Sequence, residues 1–192
     1  MKKTICVFCS SSEDLRSDYY EMATKFGEKL ASENYNLIHG GGSIGIMGRL
    51  MKAVFENGGQ ITGVVPEKLN KPNIVDDKYQ RLIITTDMKE RKEFMRQNSD
   101  AFVALPGGFG TLEELSEIIT LKQLKYHDKP IVIFNYTNFF NKLIDFFEFF
   151  FNEHFAIPDY KQLYYVTNQI DDVFRYLKNY NPTNIYDKYL KQ

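Results

Sequence analysis

Hydrophobic positions along this chain follow two alternating spacings. Short apolar runs that end at turn residues are typical of buried strands, and apolar residues three or four apart are typical of one-sided helices. The pattern predicts the following elements in order: a strand over Thr4 to Cys9, a helix over Tyr19 to Glu33, a strand over Tyr35 to His39, a helix over Ile46 to Asn57, strands over Gln60 to Val65 and Leu82 to Thr85, a helix over Met88 to Asn98, a strand over Asp100 to Leu105, a helix from about Thr111, a strand over Ile131 to Asn135 and a helix over Phe139 to Asn152.

Strands that alternate with helices favour one architecture. Because right-handed crossovers join such strands, we predict an α/β fold: a single-domain, doubly wound, Rossmann-like fold over residues 1–192, with a mostly parallel sheet and helices on both faces. A length of 192 residues fits one domain with its own core. Ligands of this fold bind at the carboxyl ends of the strands. We expect the loop from Pro66 to Gln80 to lie over that edge, whereas the tail after Tyr180 has no clear periodicity.

The segment from Pro106 to Glu114, Pro-Gly-Gly-Phe-Gly-Thr-Leu-Glu-Glu, joins an apolar strand to a helix. Free backbone N–H groups and the positive end of a helix dipole attract phosphate at such a place, and missing side chains allow it to come close. Thr111 and Glu114 also have the spacing of a capping box, which would satisfy backbone N–H groups without any ligand. A cap does not need three glycines, so the segment favours an anion site with a carboxylate one turn into the helix.

Another glycine-rich turn, Gly40-Gly41-Gly42-Ser43-Ile44-Gly45, follows the second predicted strand and opens a helix. It matches the dinucleotide pattern G-x-G-x-x-G, and Glu67 ends the next strand 22 residues beyond Gly45. A purely structural glycine turn explains the pattern equally well. Since both glycine turns open at the same edge of the sheet, they could line a single cleft.

Arg91 and Lys92 lie early in the helix that precedes the Phe102 strand. Cations near a helix amino end oppose its dipole, so an anionic ligand would compensate them. A solvated basic face is the alternative for Lys92 and for Arg96.

Composition excludes several classes of function. With 24 basic and 25 acidic residues and a net charge of −1, nothing indicates binding to nucleic acid or to a membrane surface. The apolar run after Met1 is too short for a signal peptide, and no apolar span approaches the ~20 residues of a membrane helix, so we expect a cytoplasmic protein.

The cysteines and histidines do not indicate a redox or metal site. Cys6 and Cys9 form C-x-x-C within a predicted strand, where residues three apart point to opposite faces, so a redox pair is not expected. His39 is interpreted as a strand-end residue, and His127 and His154 have no evident partner. With three His and two Cys there is no metal-ligand spacing, and no cofactor is expected.

The last predicted helix carries phenylalanines on more than one face. One apolar face would pack on the core, and another indicates a subunit interface or a large exposed patch.

These motifs together resemble one family. The chain is similar to the Lonely Guy (LOG) family of cytokinin riboside 5′-monophosphate phosphoribohydrolases, many of which were labelled "possible lysine decarboxylase". The resemblance covers nearly the whole chain and rests on these segments: Val7 to Ser11, Gly40 to Gly48, Met88-Lys89-Glu90-Arg91-Lys92, Pro106 to Glu114, and Leu124-x-x-His127-x-Lys129-Pro130.

The resemblance implies hydrolysis of the N-glycosidic bond of AMP or N6-modified AMP, with a purine nucleoside 5′-monophosphate as substrate, and a homodimer or larger homo-oligomer. By motif position Arg91 and Glu114 are the implied catalytic pair. The implied substrate contacts are Lys92, Gly107, Gly108, Gly110, Thr111, Glu113, Thr120, Gly41, Gly42 and Gly45. A carboxylate suits this chemistry because positive charge develops on the sugar as the bond breaks. Arg91 would either fix the nucleotide or assist the leaving base.

Four positions depart from the family pattern and bear on base recognition: Ser10, His39, Asn73 and Lys89. Two other functions stay open at this point. A non-catalytic nucleotide or cofactor carrier would need the Gly107 to Thr111 turn but not Glu114. A nicotinamide-dependent oxidoreductase would use Gly40 to Gly45, although the chain has little room for a second substrate domain.

Overall fold

The computed structural model describes residues 2–72, 74–76 and 81–182 of the chain. The strands are β1 (Thr4–Phe8), β2 (Asn36–His39), β3 (Ile61–Pro66), β4 (Arg81–Thr85), β5 (Ala101–Ala104), β6 (Ile131–Phe134) and β7 (Tyr165–Thr167). The helices are α1 (Ser17–Ser32), α2 (Gly45–Glu56), α3 (Met88–Gln97), α4 (Phe109–Gln123), α5 (Asn141–Asn152) and α6 (Ile170–Asn179).

The seven strands form one sheet in the order β4-β3-β2-β1-β5-β6-β7. Each of the strand pairs described is parallel, and Ile5 of β1 lies opposite Leu37 of β2 and Ala101 of β5. The chain winds outward from β1 on one side and from β5 on the other, which makes the boundary between them the switch point where ligands bind. The predicted doubly wound α/β fold is confirmed.

Two core layers cover the two faces of this sheet. Val7 and Val103 pack with Phe26, Leu50 and Phe174 of α1, α2 and α6. On the opposite face, a second cluster joins the sheet to α3 and α4, with Phe8, Phe102, Met95 and Leu115 among its members. Burial of each such side chain contributes roughly 1.5–3 kcal/mol to the free energy of unfolding. Packing on both faces therefore stabilises the sheet and fixes the position of the loops at its edge. Cys6 and Cys9 are buried in opposite layers as free thiols, as their spacing in a strand predicted.

Three predicted helix starts were wrong by about two residues. Helix α1 begins at Ser17 rather than at Tyr19. Helix α4 begins at Phe109, because Gly108 is its N-cap. Helix α5 begins at Asn141, after a short 3-10 turn over Tyr136–Asn138. The phenylalanines of α5 do divide between two faces: Phe151 is buried, whereas Phe146 and Phe149 are about half exposed.

The prediction assigned no elements after Asn152, and it therefore missed β7 and α6. Strand β7 has only three residues, too few for a clear alternating pattern. Parts of the predicted loop and tail (Asn73, 77–80 and 183–192) lie outside the described residues. Within the described parts of the chain, no helix has both the length and the apolar character needed to cross a membrane.

Candidate active site

Three loops meet where β1, β2 and β5 end. The backbone of Ser10, just after β1, accepts a hydrogen bond from the N–H of Met47 (3.0 Å) and donates one to the carbonyl of Pro106 (3.2 Å). The loop after β1 thus lies between the two glycine turns and holds them at one edge. Both glycine turns therefore lie at the same edge of the sheet, as expected, and the suggestion that they line a single cleft stays a prediction.

The glycine turn over Gly107 to Gly110, the second along the chain, leaves the amino end of α4 open. Gly108 is the N-cap, no side chain caps the helix, and no acidic residue lies in its first turn. A Cβ added at Gly108 or at Gly110 would meet no atom within 4 Å. An apolar cleft of about 240 Å³ opens beside the turn, with Gly107, Gly108 and Phe139 in its wall. Backbone N–H groups of a first helical turn have no intrahelical partner, so the turn can accept an anion.

Thr111 and Glu114 do not form the capping box that their spacing allowed. Thr111 is buried, and its hydroxyl packs so closely on Gly107 that a Cβ there would lie 2.0 Å from Oγ1. Glu114 turns away from the helix start and bonds to Arg91. This tertiary contact replaces the local cap, which leaves the N–H groups of α4 available.

Arg91 and Glu114 form a buried ion pair beneath the turn. Arg91 Nη1 donates to Glu114 Oε1 at 2.7 Å, and Arg91 Nε donates to the carbonyl of Val64 in β3 at 3.0 Å. The side chains are only 8% and 10% exposed. A buried ion pair loses favourable hydration that a surface pair keeps. Buried, paired ionisable groups of this kind are typical of functional sites.

Burial raises the pKa of the Glu114 carboxyl above its ordinary value, and the charge of Arg91 opposes that rise. The guanidinium therefore favours the ionised carboxylate in a place where water no longer does.

Lys92 is not a free cation at a helix start. Its ammonium group donates to the carboxylates of Glu113 and Glu117, both on α4. Partial burial alone would lower the pKa of Lys92, but the two carboxylates outweigh that effect and its pKa is raised. These contacts supply the compensating negative charge for which the sequence suggested a ligand. Arg96 likewise pairs with Glu93 rather than lying on a solvated face.

The start of α3 is fixed by a cap that the sequence analysis missed. The Asp87 side chain accepts the N–H of Glu90 at 2.8 Å, and the Glu90 carboxylate accepts the N–H of Thr86 at 2.7 Å. Asp87-x-x-Glu90 was the available signal, because this spacing of an acceptor and Glu is typical of a helix start. The cap fixes the first turn of α3 and thereby the position of Arg91 one residue later.

Protein atoms fill the glycine turn over Gly40 to Gly45, the first along the chain. A Cβ at Gly41 would lie 2.1 Å from Val65 Cγ2, and one at Gly45 would lie 2.5 Å from the carbonyl oxygen of Ser12. The N–H of Gly42 donates to the sulfur of Met47 at 3.1 Å. Gly40, which the sequence analysis did not single out as a site residue, faces Arg91.

Thr120 lies apart from the rest of the predicted site. It is ten residues beyond Gly110 on α4, roughly 15 Å along the helix axis at 1.5 Å per residue. Its hydroxyl donates to the carbonyl of Ser116 at 2.8 Å, and it borders a groove with Phe147 and Tyr164. Within one protomer Thr120 does not share the glycine turn with the other predicted contacts.

Two of the three histidines, His39 and His127, are buried. His39 is buried at the end of β2. Contrary to the sequence analysis, His127 has partners: Nδ1 accepts the N–H of Lys129 at 3.2 Å, and Nε2 lies 3.0 Å from the carbonyl of Ile118. Burial lowers the pKa of His127 to about 4, so the ring is neutral at physiological pH. Among the described residues, no group of three or more His, Cys, Asp or Glu side chains could hold a metal ion.

The chain matches a family model described as "Possible lysine decarboxylase" over residues 47–177. It is 39% identical over 182 residues to the cytokinin riboside 5′-monophosphate phosphoribohydrolase LOG5 of Arabidopsis thaliana, which covers 95% of this chain and 80% of that protein. It is 39% identical over 180 residues to LOG1 of the same plant, covering 94% of this chain and 84% of that protein.

Among solved structures, the Moco carrier protein of Chlamydomonas reinhardtii superposes with a TM-score of 0.68 at 24% identity, covering 93% of this chain and 96% of the other. This likeness shows the fold alone, because an enzyme and a carrier can share one architecture.

Proposed function

The chain belongs to the LOG family, described as possible lysine decarboxylases, and on that premise we propose that it hydrolyses the N-glycosidic bond of AMP or an N6-modified AMP. The products would be the free base and ribose 5-phosphate. The observation that carries the proposal is the buried Arg91–Glu114 pair one helical turn from an uncapped glycine turn. A carrier needs the turn but has no use for a desolvated carboxylate beside it.

The open turn would hold the 5′-phosphate on the N–H groups at the start of α4. Gly108 and Gly110 leave the space that phosphate oxygens would fill, and the positive end of the helix dipole favours the dianion. With the phosphate fixed there, Glu114 lies four residues beyond Gly110 and six beyond Gly108, about 6–9 Å along the helix axis at 1.5 Å per residue. The ribose of the nucleotide can bridge that distance.

Glu114 would stabilise the positive charge that develops on the sugar as the C1′–N bond breaks. The hydroxyl of a water molecule then bonds to C1′, and the departing base takes up a proton. Arg91 favours the ionised form of Glu114 and holds the carboxylate in place, and its remaining N–H groups can bond to the substrate. A guanidinium does not release protons in proteins, so Arg91 would assist the base by hydrogen bonding rather than as a general acid.

A lysine decarboxylase is the weaker assignment for these residues. Schiff-base chemistry needs a lysine that can become neutral. Lys92, the lysine beside the site, is held protonated between Glu113 and Glu117.

We also propose that the protein acts as a homodimer or larger homo-oligomer. Thr120, an implied substrate contact, lies too far along α4 to reach the turn of its own protomer. Phe109, at the start of α4, is 91% exposed, and Leu112 on the same helix and Met88 at the start of α3 are also exposed. A second copy that covered these apolar side chains could bring its Thr120 to the site. Sedimentation velocity of the purified protein tests the oligomeric state.

The enzymatic assignment is tested by incubating the protein with AMP and with isopentenyladenosine 5′-monophosphate, alongside Glu114→Gln. Free base and ribose 5-phosphate are measured by chromatography. We expect release from at least one nucleotide and a loss of at least 10³-fold in Glu114→Gln, about 4 kcal/mol of transition-state stabilisation. Nucleotide binding without release from either substrate would instead support the carrier function.

A further inference from the structure

Gly40 lies directly against the guanidinium of Arg91. A Cβ built on Gly40 would lie 2.4 Å from Arg91 Nη2 and 3.1 Å from the terminal carbon of Met47. Unlike Gly41 and Gly45, Gly40 does not have a left-handed φ. Any residue could therefore adopt the backbone conformation of Gly40. The structure requires glycine at position 40 because there is no space for a side chain.

The guanidinium cannot easily move away from this contact. Nε is bonded to the carbonyl of Val64, Nη1 is bonded to Glu114, and Arg91 is 7% exposed. A methyl group at position 40 would have to break one of these buried bonds or displace the side chain as a whole. Either movement changes the relation of Arg91 to Glu114.

We propose that Gly40 is a positioning residue for Arg91, and that the first glycine turn provides a slot for this arginine rather than a phosphate site. Its catalytic consequence rests on the proposed function, but the contact itself does not. The neighbouring glycines support the distinction, because Gly41 and Gly45 pack against Val65 and Ser12 and leave no open surface for a ligand.

Gly40→Ala tests the catalytic part. We expect kcat/KM for the hydrolysed nucleotide to fall at least tenfold. The acidic limb of the pH–rate profile should move to higher pH, because a displaced Arg91 no longer favours the ionised form of Glu114. An unchanged limb together with an unchanged rate would overturn the proposal.

Gly59→Ala is the matched control. A Cβ there would also lie 2.4 Å from a side-chain atom, Val54 Cγ1, but next to α2 and just before β3, at the edge of the sheet opposite the site. It should lower the melting temperature without shifting the pH profile. If Gly59→Ala shifted the profile as much as Gly40→Ala does, the effect at Gly40 would be a general loss of structure and the proposal would be overturned.

A double-mutant cycle tests the contact without any assay of activity. The melting temperature is measured for Gly40→Ala, for Arg91→Ala and for the double variant. Removal of the Arg91 side chain creates room for the added methyl, so we expect Gly40→Ala to lower the melting temperature only when Arg91 is present. An equal loss in both backgrounds overturns the proposal. If Gly40→Ala alone does not fold, recovery of folding in the double variant supports it, and failure to recover overturns it.

The two parts can fail separately. If the wild-type protein releases no base, the proposed function fails, and the melting-temperature cycle still decides the role of Gly40.

Discussion

The two glycine-rich turns of this protein have similar sequences and opposite surroundings. In the turn from Gly40 to Gly45, added Cβ atoms would meet Arg91, Val65 or Ser12. In the turn that ends at Gly110, added Cβ atoms at Gly108 and Gly110 would meet no atom within 4 Å. In the first turn glycine lets the protein pack against itself, and in the second it leaves room for a ligand. The same residue type thus allows close packing in one place and, under the proposed function, phosphate binding in the other.

Arg91 connects the two turns. It packs on Gly40 and pairs with Glu114 in α4, the helix that follows the turn ending at Gly110. Local pattern at either turn does not reveal this connection, since Arg91 and Glu114 are 23 residues apart in the chain.

The largest expected effect follows from breaking that connection. Arg91→Met leaves Glu114 buried without its cation, and we expect a loss of about 3–5 kcal/mol in the free energy of unfolding at neutral pH. The pKa of Glu114 should rise further above its ordinary value. A carboxyl with a raised folded pKa favours folding at low pH, and that contribution is lost as the pH rises through the folded pKa.

The destabilisation by Arg91→Met should therefore be smaller at about pH 5 than at about pH 8. Denaturant unfolding of both proteins at the two pH values measures the difference. A penalty that stayed constant with pH would show that the two side chains are not coupled as the geometry indicates.

A smaller loss of stability is expected from the filled turn. Gly45 has a φ of 66° and its added Cβ would press on backbone atoms of Ser11 and Ser12. Gly45→Ala should cost about 2–3 kcal/mol from strain and overlap together.

Gly58→Ala separates the two contributions to that loss. Gly58 has a φ of 74° but no atom within 4 Å of an added Cβ, so only backbone strain applies, about 1 kcal/mol. Thermal unfolding of both variants gives the comparison. Equal losses at Gly45 and Gly58 would mean that the first turn is not packed as described.

In the open turn, Gly107 to Gly110, a substitution at Gly110 should lower nucleotide affinity rather than stability. Gly110→Ala places a better helix former in the first turn of α4 without a clash, so stability should stay the same or rise by about 0.5–1 kcal/mol. Nucleotide binding should weaken about tenfold, or 1.4 kcal/mol, because the methyl occupies the space meant for phosphate oxygens. Calorimetric titration with AMP into Glu114→Gln, with and without Gly110→Ala, measures binding without turnover. Unchanged affinity would place the phosphate elsewhere.

The fold was predictable because its signals are local. Strand and helix spacing identified each of the strands β1 to β6 and the helices α1 to α5, and the parallel, doubly wound sheet followed from their order. Strand β7 was missed because three residues at a sheet edge carry little pattern. The start of α4 was displaced to Thr111 because a capping box and a glycine N-cap compete in the same segment, and the contact of Glu114 with Arg91 decided between them.

By itself, the sequence determined the architecture, and it pointed to the edge of the sheet that carries the candidate site and to the residues proposed for its chemistry. Hydrophobic periodicity, glycine turns and a family pattern are all properties of short segments. They can be recognised without knowing which residues are neighbours in the fold. Only the tertiary structure decided what each group does there. It paired Lys92 with Glu113 and Glu117, separated Thr120 from the turn and set Gly40 against Arg91. Such assignments depend on which atoms lie within a few ångströms across the fold, and neither glycine spacing nor charge along the chain contains that information.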